Sequence, residues 1–394
     1  MIVGRKKLID RIWKKLETQS LRFTAERRVG KTTVLKKMAR NPPNGVVAVF
    51  IDLEAVSSAL RFAETLLTHV RPTLTKTKIA KTRFASLLES LAGVEIGGIV
   101  KLPDKHEIDW QSRVEKLLDG LGECHPESRV VLLFDELPYM LQKIRADELK
   151  AGSTHNSALA LLDVLRAKRK PPSNLRMVYS GSVGLHHVVS ELRDQVAAEP
   201  FNDMPIQEIR ELSTEDALSR ATTLLAQEGV NSKKRDDLAA MVAELGDRVP
   251  FYIERIVARL ADLEREVTAD DARIIFHRQL ADDQDEWEME HFRSRIPIYY
   301  PGDITDVNGK PIKLAMIVER ILDSIAVQPD AQGIDAIWGD IKSGFALDDR
   351  ALTIQLLKSL AQDHYLRCDT SKRYAFRYEL LRKWWVLAQG LSTQ

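Results

Sequence analysis

One short segment near the start of the chain restricts the fold more than any other feature. It follows the pattern small–x–x–x–x–Gly–Lys–Thr and consists of Ala25, Glu26, Arg27, Arg28, Val29, Gly30, Lys31 and Thr32. An apolar run at 21–25 precedes it, and a helical pattern at 32–39 follows it. A strand, a loop of this pattern and a helix form a phosphate-binding loop, in which backbone N–H groups and the helix N-terminus surround an anion. A Gly-Lys turn at the start of an ordinary helix would match the loop but not both flanks.

The chemistry of such a loop assigns roles to its residues. Lys31 would reach the β- and γ-phosphates of a nucleoside triphosphate, and the Thr32 hydroxyl would hold Mg²⁺. Thr33 follows in the first helical turn and belongs to the predicted binding set. Ala25 stands where glycine is commoner in this pattern. The sequence therefore predicts ATP and Mg²⁺ as cofactors.

The composition is that of an ordinary soluble globular protein. The chain has 394 residues, 44% of them hydrophobic and 29% charged, and its formal net charge is +1. This length predicts two or three domains, and the charge means that DNA contact would need a local patch. The start lacks an apolar signal region, and no run approaches the roughly 20 apolar residues of a membrane helix. Cys124 and Cys368 lack metal or disulfide spacing, which fits a reducing compartment. From these three observations we expect a cytoplasmic protein without membrane contact.

Strand and helix patterns alternate over the first half of the chain. Near-continuous apolar runs at 46–53, 130–134 and 175–179 suit parallel strands that are buried on both faces. The helical patterns lie at 57–70, 83–91, 109–121 and 156–168, and 94–100 is a Gly-rich apolar hairpin or insert. This alternation is typical of an α/β layer with a mostly parallel sheet, so we predict a P-loop NTPase domain at 1–204.

The pattern changes after residue 200, where the strands are expected to stop. Helical patterns at 214–228, 234–245 and 251–263 predict a helical lid domain at 205–298, with a linker to 311 that carries turn signals. The acidic tract at 282–290 is expected to be a solvated helix face. Three helical patterns and a hairpin then predict a winged-helix domain at 312–394, with Trp384 and Trp385 anchored in its core.

A second motif ends the predicted strand at 130–134 with Asp135 and Glu136. At this edge of a sheet Asp135 would lie near Mg²⁺, usually through a water, and Glu136 would orient or deprotonate the attacking water. A strand that ends in Asp-Glu is common by chance, but its place after a phosphate loop and an intervening strand makes it specific. Lys31 and Glu136 are the predicted catalytic residues, and Thr32 and Asp135 the predicted metal site.

Hydroxyl side chains follow the predicted strand at 175–179. Ser180 and Ser182 are both candidates to sense the γ-phosphate, as a polar residue does at this place in related nucleotide hydrolases. A rival interpretation is the nucleophile elbow of hydrolases, which requires a glycine two residues before the serine. Ser180 stands there before Ser182, so the rival interpretation fails on spacing.

Several arginines are candidates for further roles. Arg27 and Arg28 in the loop either brace phosphate, contact a neighbouring subunit or are solvated. Arg166, Arg169 and Arg193 are candidates for an arginine finger, which in trans would make hydrolysis depend on assembly.

Five segments, taken in order, resemble the archaeal-type ATPase family within the STAND class of signal-transduction NTPases, which are relatives of AAA+ proteins. The segments are 3–5, 27–33, 134–139, 180–185 and 374–385. They span most of the chain, and the resemblance implies an α/β ATPase core, a helical domain and a C-terminal winged helix.

The resemblance also implies further nucleotide contacts. The family's opening Gly-Arg pair lies near the adenine, which is the implied role of Gly4 and Arg5. The family's Gly-x-Pro element is looser here, because Gly246 and Pro250 stand further apart. Pro250 and Arg248 are alternative contacts in that element.

The family implies a switch, in which ATP binding rearranges the helical and winged-helix domains against the core and hydrolysis resets them. We expect a protein effector partner, in a defence or mobile-element setting, and leave open a homo-oligomer. The alternative is a nucleotide-modulated DNA-binding regulator, whose wing cations would meet phosphates: Arg367, Lys372, Arg373 and Arg377. A scaffold without hydrolysis is disfavoured by the intact Lys31, Asp135 and Glu136.

Overall fold

The computed structural model describes residues 4–74, 109–170, 173–181, 184–192 and 200–392. The predicted helix at 83–91, the insert at 94–100, Ser182 and Arg193 lie outside the described residues. The described chain divides into two compact units, 4–209 and 210–394. Within the described ranges, no helix combines the length and the apolar composition needed to cross a bilayer.

The first unit is an α/β layer. Its helices are α1 (Lys6–Leu16), α2 (Lys31–Arg40), α3 (Ala59–Leu74), α4 (Trp110–Cys124), α5 (Leu137–Lys150), α6 (Ser157–Arg169) and α7 (Leu185–Leu192). Its strands are β1 (Leu21–Thr24), β2 (Val46–Asp52), β3 (Arg129–Asp135), β4 (Leu175–Tyr179) and β5 (Ile206–Glu208). The predicted cap of α4 is confirmed, since the Asp109 side chain accepts a hydrogen bond from the Ser112 N–H.

The five strands form one parallel sheet in the order β2-β3-β4-β1-β5. The central strand β3 is buried from Val130 to Asp135 because helices cover both faces, as its unbroken apolar sequence predicts. β2 and β3 run in register to their ends, where Asp52 lies opposite Asp135. This order brings the carboxyl ends of β1, β3 and β4 to one edge of the sheet, which is where ligands bind in open α/β folds.

The prediction that strands stop after Pro200 is wrong. β5 lies beyond that residue and pairs with β1, with Ile206 opposite Arg22. It is a short strand, Ile-Gln-Glu, at the edge of the sheet formed by the described residues, and it has no apolar run. Its continuation is tied to β1 as well, since the Ile209 N–H donates to the Thr24 carbonyl at 2.8 Å.

The second unit begins with helices. They are α8 (Thr214–Gln227), α9 (Arg235–Leu245), α10 (Pro250–Ala261), α11 (Ala269–Leu280), α12 (Glu290–Ser294) and α13 (Ile296–Tyr299). Side-chain caps start two of the long ones: Ser213 accepts from the Asp216 N–H, and Thr268 and Asp271 form a capping box. Such caps satisfy N–H groups that the helix itself leaves unpaired.

The acidic tract at 282–290 is not the predicted helix face. Its backbone forms turns, with Asp285 at φ 47° and Glu288 at φ 57°, a region that interrupts a right-handed helix. The Asp285 carboxylate accepts hydrogen bonds from the N–H groups of Met289 and Glu290. Trp287 is buried in this tract against Tyr252 and Phe276, so part of the tract belongs to the core.

The remaining elements of the second unit are three longer helices, a final helix and short strands. They are β6 (Asp303–Thr305), β7 (Pro311–Lys313), α14 (Leu314–Ala326), β8 (Gln332–Gly333), α15 (Ile334–Phe345), α16 (Arg350–Gln362), β9 (Leu366–Cys368), β10 (Arg373–Phe376) and α17 (Glu379–Ala388). β8, β10 and β9 form an antiparallel sheet next to the three helices. The three helices and the β9–β10 hairpin lie where the sequence predicts them, with β8 in addition, while the winged helix itself stays a prediction. Trp384 and Trp385 are buried, as predicted.

The segment predicted as a linker is ordered into a hairpin and anchored at its start. β6 and β7 pair across a turn with Gly309 at φ 82°. Just before this hairpin Arg295 is buried and donates to the Tyr365 hydroxyl at 2.7 Å and to the Asp363 carbonyl at 3.1 Å. The Tyr300 hydroxyl donates to the Asp363 carboxylate at 2.6 Å. These buried bonds fasten the 295–300 segment to the turn after α16.

Candidate functional site

The phosphate-binding loop connects β1 to α2, as the sequence predicts. Its last residue, Gly30, precedes α2 and has φ 100°, a left-handed conformation that glycine adopts without a steric cost. Arg28 has φ 70°, so the loop holds two residues with left-handed backbone, separated by Val29. Successive N–H groups in such a backbone point into one concave surface, which suits an anion.

Lys31 lies inside the curve of the loop. Its side chain is only 7% exposed, and its Nζ donates to the carbonyls of Ala25 at 2.9 Å and Glu26 at 3.1 Å. These bonds hold the ammonium group beside the N-terminus of α2, where both the charge and the helix dipole attract phosphate.

Thr32 and Asp135 are 103 residues apart in the chain, but the Thr32 hydroxyl donates a hydrogen bond to Asp135 Oδ2 at 2.6 Å. The first turn of α2 therefore lies against the end of β3. Asp135 is buried at 2% exposure, and its other oxygen, Oδ1, has no hydrogen-bond partner among the described residues.

The end of β4 completes this edge. Ser180 is 1% exposed, and its Oγ also has no hydrogen-bond partner within the described part of the chain. Its N–H donates to the Phe134 carbonyl at 2.9 Å, and its carbonyl accepts from the Leu137 N–H at 3.1 Å. Two backbone hydrogen bonds therefore connect Ser180 to the residues on either side of Asp135 and Glu136.

These residues fit a magnesium ion held together with a nucleotide. A buried carboxylate oxygen without a partner is costly unless a ligand satisfies it. Mg²⁺ binds through one or two protein oxygens, with phosphates and waters supplying the rest. In the described ranges no group of three or more His, Cys, Asp or Glu side chains could hold a metal by itself. A hydroxyl from Thr32 and a carboxylate from Asp135 are the donor types that such a shared site needs.

Glu136 occupies the turn between β3 and α5. It has φ 55°, which is uncommon for a residue with a side chain, and it precedes Leu137 at the start of the helix. Its carbonyl accepts from the Met140 N–H at 3.1 Å, so the strained turn is held by the first helical bond. Its side chain is half-buried next to Gly181. Strained backbone of this kind is often found at functional sites.

Arg5 supports the loop from outside. It is 7% exposed, and its Nη2 donates to the Val29 carbonyl at 2.8 Å. Gly4 precedes it with φ 74° and is exposed. The opening Gly-Arg pair is thus adjacent to the phosphate-binding loop, while its contact with adenine stays a prediction.

The remaining loop residues are partly or fully enclosed. Glu26 is 3% exposed, and its carboxylate accepts from the Arg27 N–H at 2.8 Å. Arg27 and Arg28 are both half-buried, so neither is a fully solvated arginine. Thr33 is exposed on the first turn of α2.

The prediction of Arg169 as a candidate arginine finger is wrong. Its side chain is 0% exposed and makes two hydrogen bonds with the Asp203 carboxylate, at 2.7 and 2.9 Å. It also donates to the Tyr179 hydroxyl at 3.0 Å and to the Pro200 carbonyl. We call Arg169, Tyr179 and Asp203 the arginine cluster. Arg166, another finger candidate, donates to the exposed Asn202 side chain at 2.9 Å.

Arg248 and Pro250 belong to the second unit, so their contact with a nucleotide stays a prediction. Arg248 has φ 59° and donates to Glu211 at 3.3 Å and to the Thr214 hydroxyl at 3.4 Å. Pro250 is the first residue of α10, where a proline fits because no helical bond to its nitrogen is needed.

Two residues of consequence have no role assigned from the sequence. Gly181 lies against Pro138 and Glu136, and Asp247 accepts a hydrogen bond from the Leu380 N–H at 2.6 Å. The only sequence signal for Gly181 is its place directly after the hydroxyl that ends β4. Nothing local marks Asp247, because its partner is 133 residues away.

Comparison with known proteins establishes the fold. No family model matches the chain, and no curated protein matches it. A Walker-type ATPase of Pyrococcus abyssi is similar in structure over 98% of this chain and 96% of its own, with a TM-score of 0.64 and 15% identity. The ORC2 protein of Aeropyrum pernix, solved in ADPNP-ADP complexes, is similar over 99% of this chain and 95% of its own, with a TM-score of 0.51 and 10% identity. The chain therefore has the α/β fold of P-loop NTPases, and the predicted fold class is confirmed.

Proposed function

We propose that this protein is an ATP-binding and ATP-hydrolysing switch that resembles the STAND class. The observation that carries the proposal is the hydrogen bond between Thr32 and Asp135 at the carboxyl edge of a parallel sheet, with the buried Lys31 next to Thr32 on α2. The second carboxylate oxygen of Asp135 is buried there without a hydrogen-bond partner among the described residues. A cation, a hydroxyl and a carboxylate in this arrangement suit a triphosphate with its magnesium ion. The fold shared with a Walker-type ATPase supports the same conclusion.

Each residue of the site has a distinct task in this proposal. Lys31 and the N–H groups of the loop bind the β- and γ-phosphates, while Thr32 and Asp135 hold Mg²⁺. The ion supplies positive charge to the phosphate oxygens when it is bound. Glu136 orients the attacking water and accepts its proton, and the buried Ser180 hydroxyl donates to the γ-phosphate. Arg5 keeps the loop in shape through the Val29 carbonyl.

The output of the switch is proposed to pass to a protein partner. Several basic side chains of the region 312–394 are engaged in ion pairs, which would oppose binding to the phosphates of DNA. These pairs are Arg320–Asp340, Lys342–Asp348, Arg350–Asp335 and Arg382–Glu379. Among the predicted wing cations, Arg373 Nε donates to the Ala331 carbonyl, and Arg377 is half-buried with Glu211 4.0 Å away.

Two substitutions test the proposal. We expect Lys31→Ala to abolish ATP binding, because the loss of a buried charged donor removes about 1.5–3 kcal/mol of interaction per hydrogen bond. We expect Glu136→Gln to retain binding and to stop turnover. Fluorescent-nucleotide titration and phosphate release measure the two steps separately. Lys37→Ala, on an exposed position of the same helix, is the matched control.

Equal ATP affinity in Lys31→Ala and the unmodified chain would refute the proposed function. The DNA-binding alternative has its own test, in which affinity for duplex DNA would fall steeply with added salt and on replacing Arg367 and Lys372. The absence of salt-sensitive duplex binding would remove that alternative and leave the protein partner.

A further inference from the structure

Gly181 lies so close to Pro138 that a side chain at this position would collide with the proline ring. A Cβ atom at this position would lie 2.5 Å from Cδ and 2.8 Å from Cγ of Pro138, and 3.5 Å from Oε2 of Glu136. Carbon atoms that are not bonded pack at about 3.5–4.0 Å, so the first two distances are far inside contact. The obstacle is a proline ring, which is fixed to the backbone of α5 and has no rotamer that would move it away.

Glycine is required at this position because a side chain would have no space, and not because the backbone conformation excludes other residues. Gly181 is not among the residues with positive φ, unlike Gly30 in the phosphate-binding loop. A larger residue could therefore adopt the backbone conformation, but it would press directly on Pro138. A side chain at this position would force apart Gly181 and the first turn of α5, which carries Pro138.

The surrounding hydrogen bonds decide which part would move. On one side, β4 is paired with β3 up to Tyr179, and the next residue, Ser180, donates to the Phe134 carbonyl at 2.9 Å and accepts from the Leu137 N–H at 3.1 Å. On the other side, the turn at 136–138 carries Glu136 with φ 55° and is the strained part. Relief of a clash would fall on the turn, because the paired strands resist displacement more strongly than a strained connection does.

We propose that Gly181 is a positioning residue for Glu136. It leaves room for Pro138, and the Pro138 ring in turn sets where the turn at 136–138 places the Glu136 carboxylate. This inference rests on the proposed ATPase function, in which Glu136 acts on the attacking water. The role concerns turnover and not nucleotide binding, because the phosphate-binding loop and Thr32 lie on other elements and Asp135 is held in the paired strand β3.

A double-mutant cycle tests the proposal. We expect Gly181→Ala to lower kcat about tenfold to hundredfold, since small displacements of a catalytic group cost rates of this size. Its ATP affinity should match that of the unmodified chain, and its thermal midpoint should fall by less than about 5 °C. Pro138→Ala removes the Cγ and Cδ atoms that the new methyl group would meet. The double variant should therefore regain a kcat close to that of Pro138→Ala alone.

The matched control is Gly339→Ala, on α15, where a Cβ would have no atom of the described residues within 4 Å and the φ angle is not positive. This variant should hydrolyse ATP at the unmodified rate. A Gly181→Ala variant with unchanged kcat would overturn the proposal, and so would a double variant no faster than Gly181→Ala. Loss of ATP binding, or a fall of more than about 5 °C in the thermal midpoint of Gly181→Ala, would also overturn it, because the contact would then serve folding. If the unmodified chain hydrolyses no ATP, the proposed function itself fails, which is a different outcome.

Discussion

Two buried polar regions lie side by side at the end of β4 and differ in how fully their hydrogen bonds are used. Tyr179 belongs to the arginine cluster, in which the Arg169 guanidinium donates to Tyr179, Asp203 and the Pro200 carbonyl. The next residue, Ser180, belongs to the sheet edge with Asp135, where an oxygen of each side chain is buried without a hydrogen-bond partner among the described residues. The first region is saturated, and the second has capacity for a ligand.

The titration behaviour of the arginine cluster agrees with a structural role. Burial raises the pKa of the Tyr179 hydroxyl to about 12, although the nearby Arg169 opposes the rise. Burial by itself would raise the pKa of the Asp203 carboxyl, but its hydrogen bonds and charge interaction with Arg169 hold that pKa below the ordinary value. The cluster therefore keeps one positive and one negative charge across neutral pH. Removing one partner of a buried ion pair is destabilising because it leaves the other charge unpaired, whereas buried oxygens without partners are a cost that ligand binding removes.

Replacing Arg169 should have the largest effect. We expect Arg169→Met to lower the free energy of unfolding by about 3 kcal/mol, because it leaves the Asp203 carboxylate without its partner. The effect is at the low end of the range for buried pairs, since the Asp203 side chain is 30% exposed. Urea denaturation at neutral pH measures the change. Arg166→Met, three residues earlier on the same helix and bonded to an exposed Asn202, should change stability by less than about 0.5 kcal/mol. Equal effects of the two would contradict the distinction.

Replacing Asp135 should separate ligand binding from stability. We expect Asp135→Asn to leave the free energy of unfolding of the nucleotide-free chain within about 1 kcal/mol of the original, because the asparagine oxygen can still accept from Thr32. Magnesium improves the affinity of the unmodified chain for ATP in this proposal. In Asp135→Asn that improvement should be smaller by a factor of about ten to a hundred, as for the loss of a charged contact. ATP titrations with and without Mg²⁺ measure this difference.

The control for that experiment is Asp52→Asn. Asp52 lies opposite Asp135 in the sheet, but it is exposed. The magnesium effect should be unchanged in this variant. A full magnesium effect in Asp135→Asn would show that the unpartnered oxygen at the sheet edge is not a metal ligand.

Asp247 is an intermediate case and should give the smallest effect. It accepts hydrogen bonds from the N–H groups of Leu380 and Glu379 at the start of α17, and burial raises its pKa to about 6 from 3.8. Lys383 opposes this rise, and the Glu379 charge adds to it. The folded chain therefore binds this proton more tightly than the unfolded chain does. The stabilisation is complete below the ordinary pKa and is lost as the pH rises through about 6.

Asp247→Asn should therefore gain stability relative to the unmodified chain as the pH rises from 5 to 8. The asparagine keeps the hydrogen-bond acceptor but does not titrate, and a gain of about 1 kcal/mol would raise the thermal midpoint by about 2–4 °C. Asp271→Asn is the control, because the hydrogen bond from Arg265 holds the pKa of Asp271 at about 2 and no titration occurs in this range. A difference between Asp247→Asn and the unmodified chain that stays constant with pH would contradict the raised pKa.

Local sequence patterns were sufficient for most of the first unit. β4 coincides with its predicted range, and the first three strands and their helices lie within two residues of theirs at most ends, because buried parallel strands and amphipathic helices have strong periodicity. The helix α5 was not predicted, although it is 14 residues long. β5 was missed too, since three residues at a sheet edge carry no such pattern. The acidic tract at 282–290 was misassigned because charge alone does not reveal the carboxylate caps and the buried Trp287 within it.

The arginines show a second limit of the sequence. Arg166 and Arg169 look equivalent along the chain, but α6 turns one toward Asn202 and the other into the core beside Asp203. Which of them is buried depends on the position of the 200–203 segment, and no local pattern specifies that position.

By itself, the sequence determined the phosphate-binding loop, the acidic end of β3 and the hydroxyl that ends β4. Each depends on neighbours within a few residues, because strand–loop–helix geometry is set by local backbone preferences and apolar periodicity. The sequence also predicted Thr32 and Asp135 as one metal site, but tertiary structure alone showed that the Thr32 hydroxyl donates directly to Asp135. It alone decided that Arg169 is saturated while Asp135 and Ser180 retain buried oxygens without hydrogen-bond partners among the described residues, and that Gly181 faces Pro138. These contacts join residues on different strands and helices, so they follow from the order and register of the sheet, which packing of the whole domain selects.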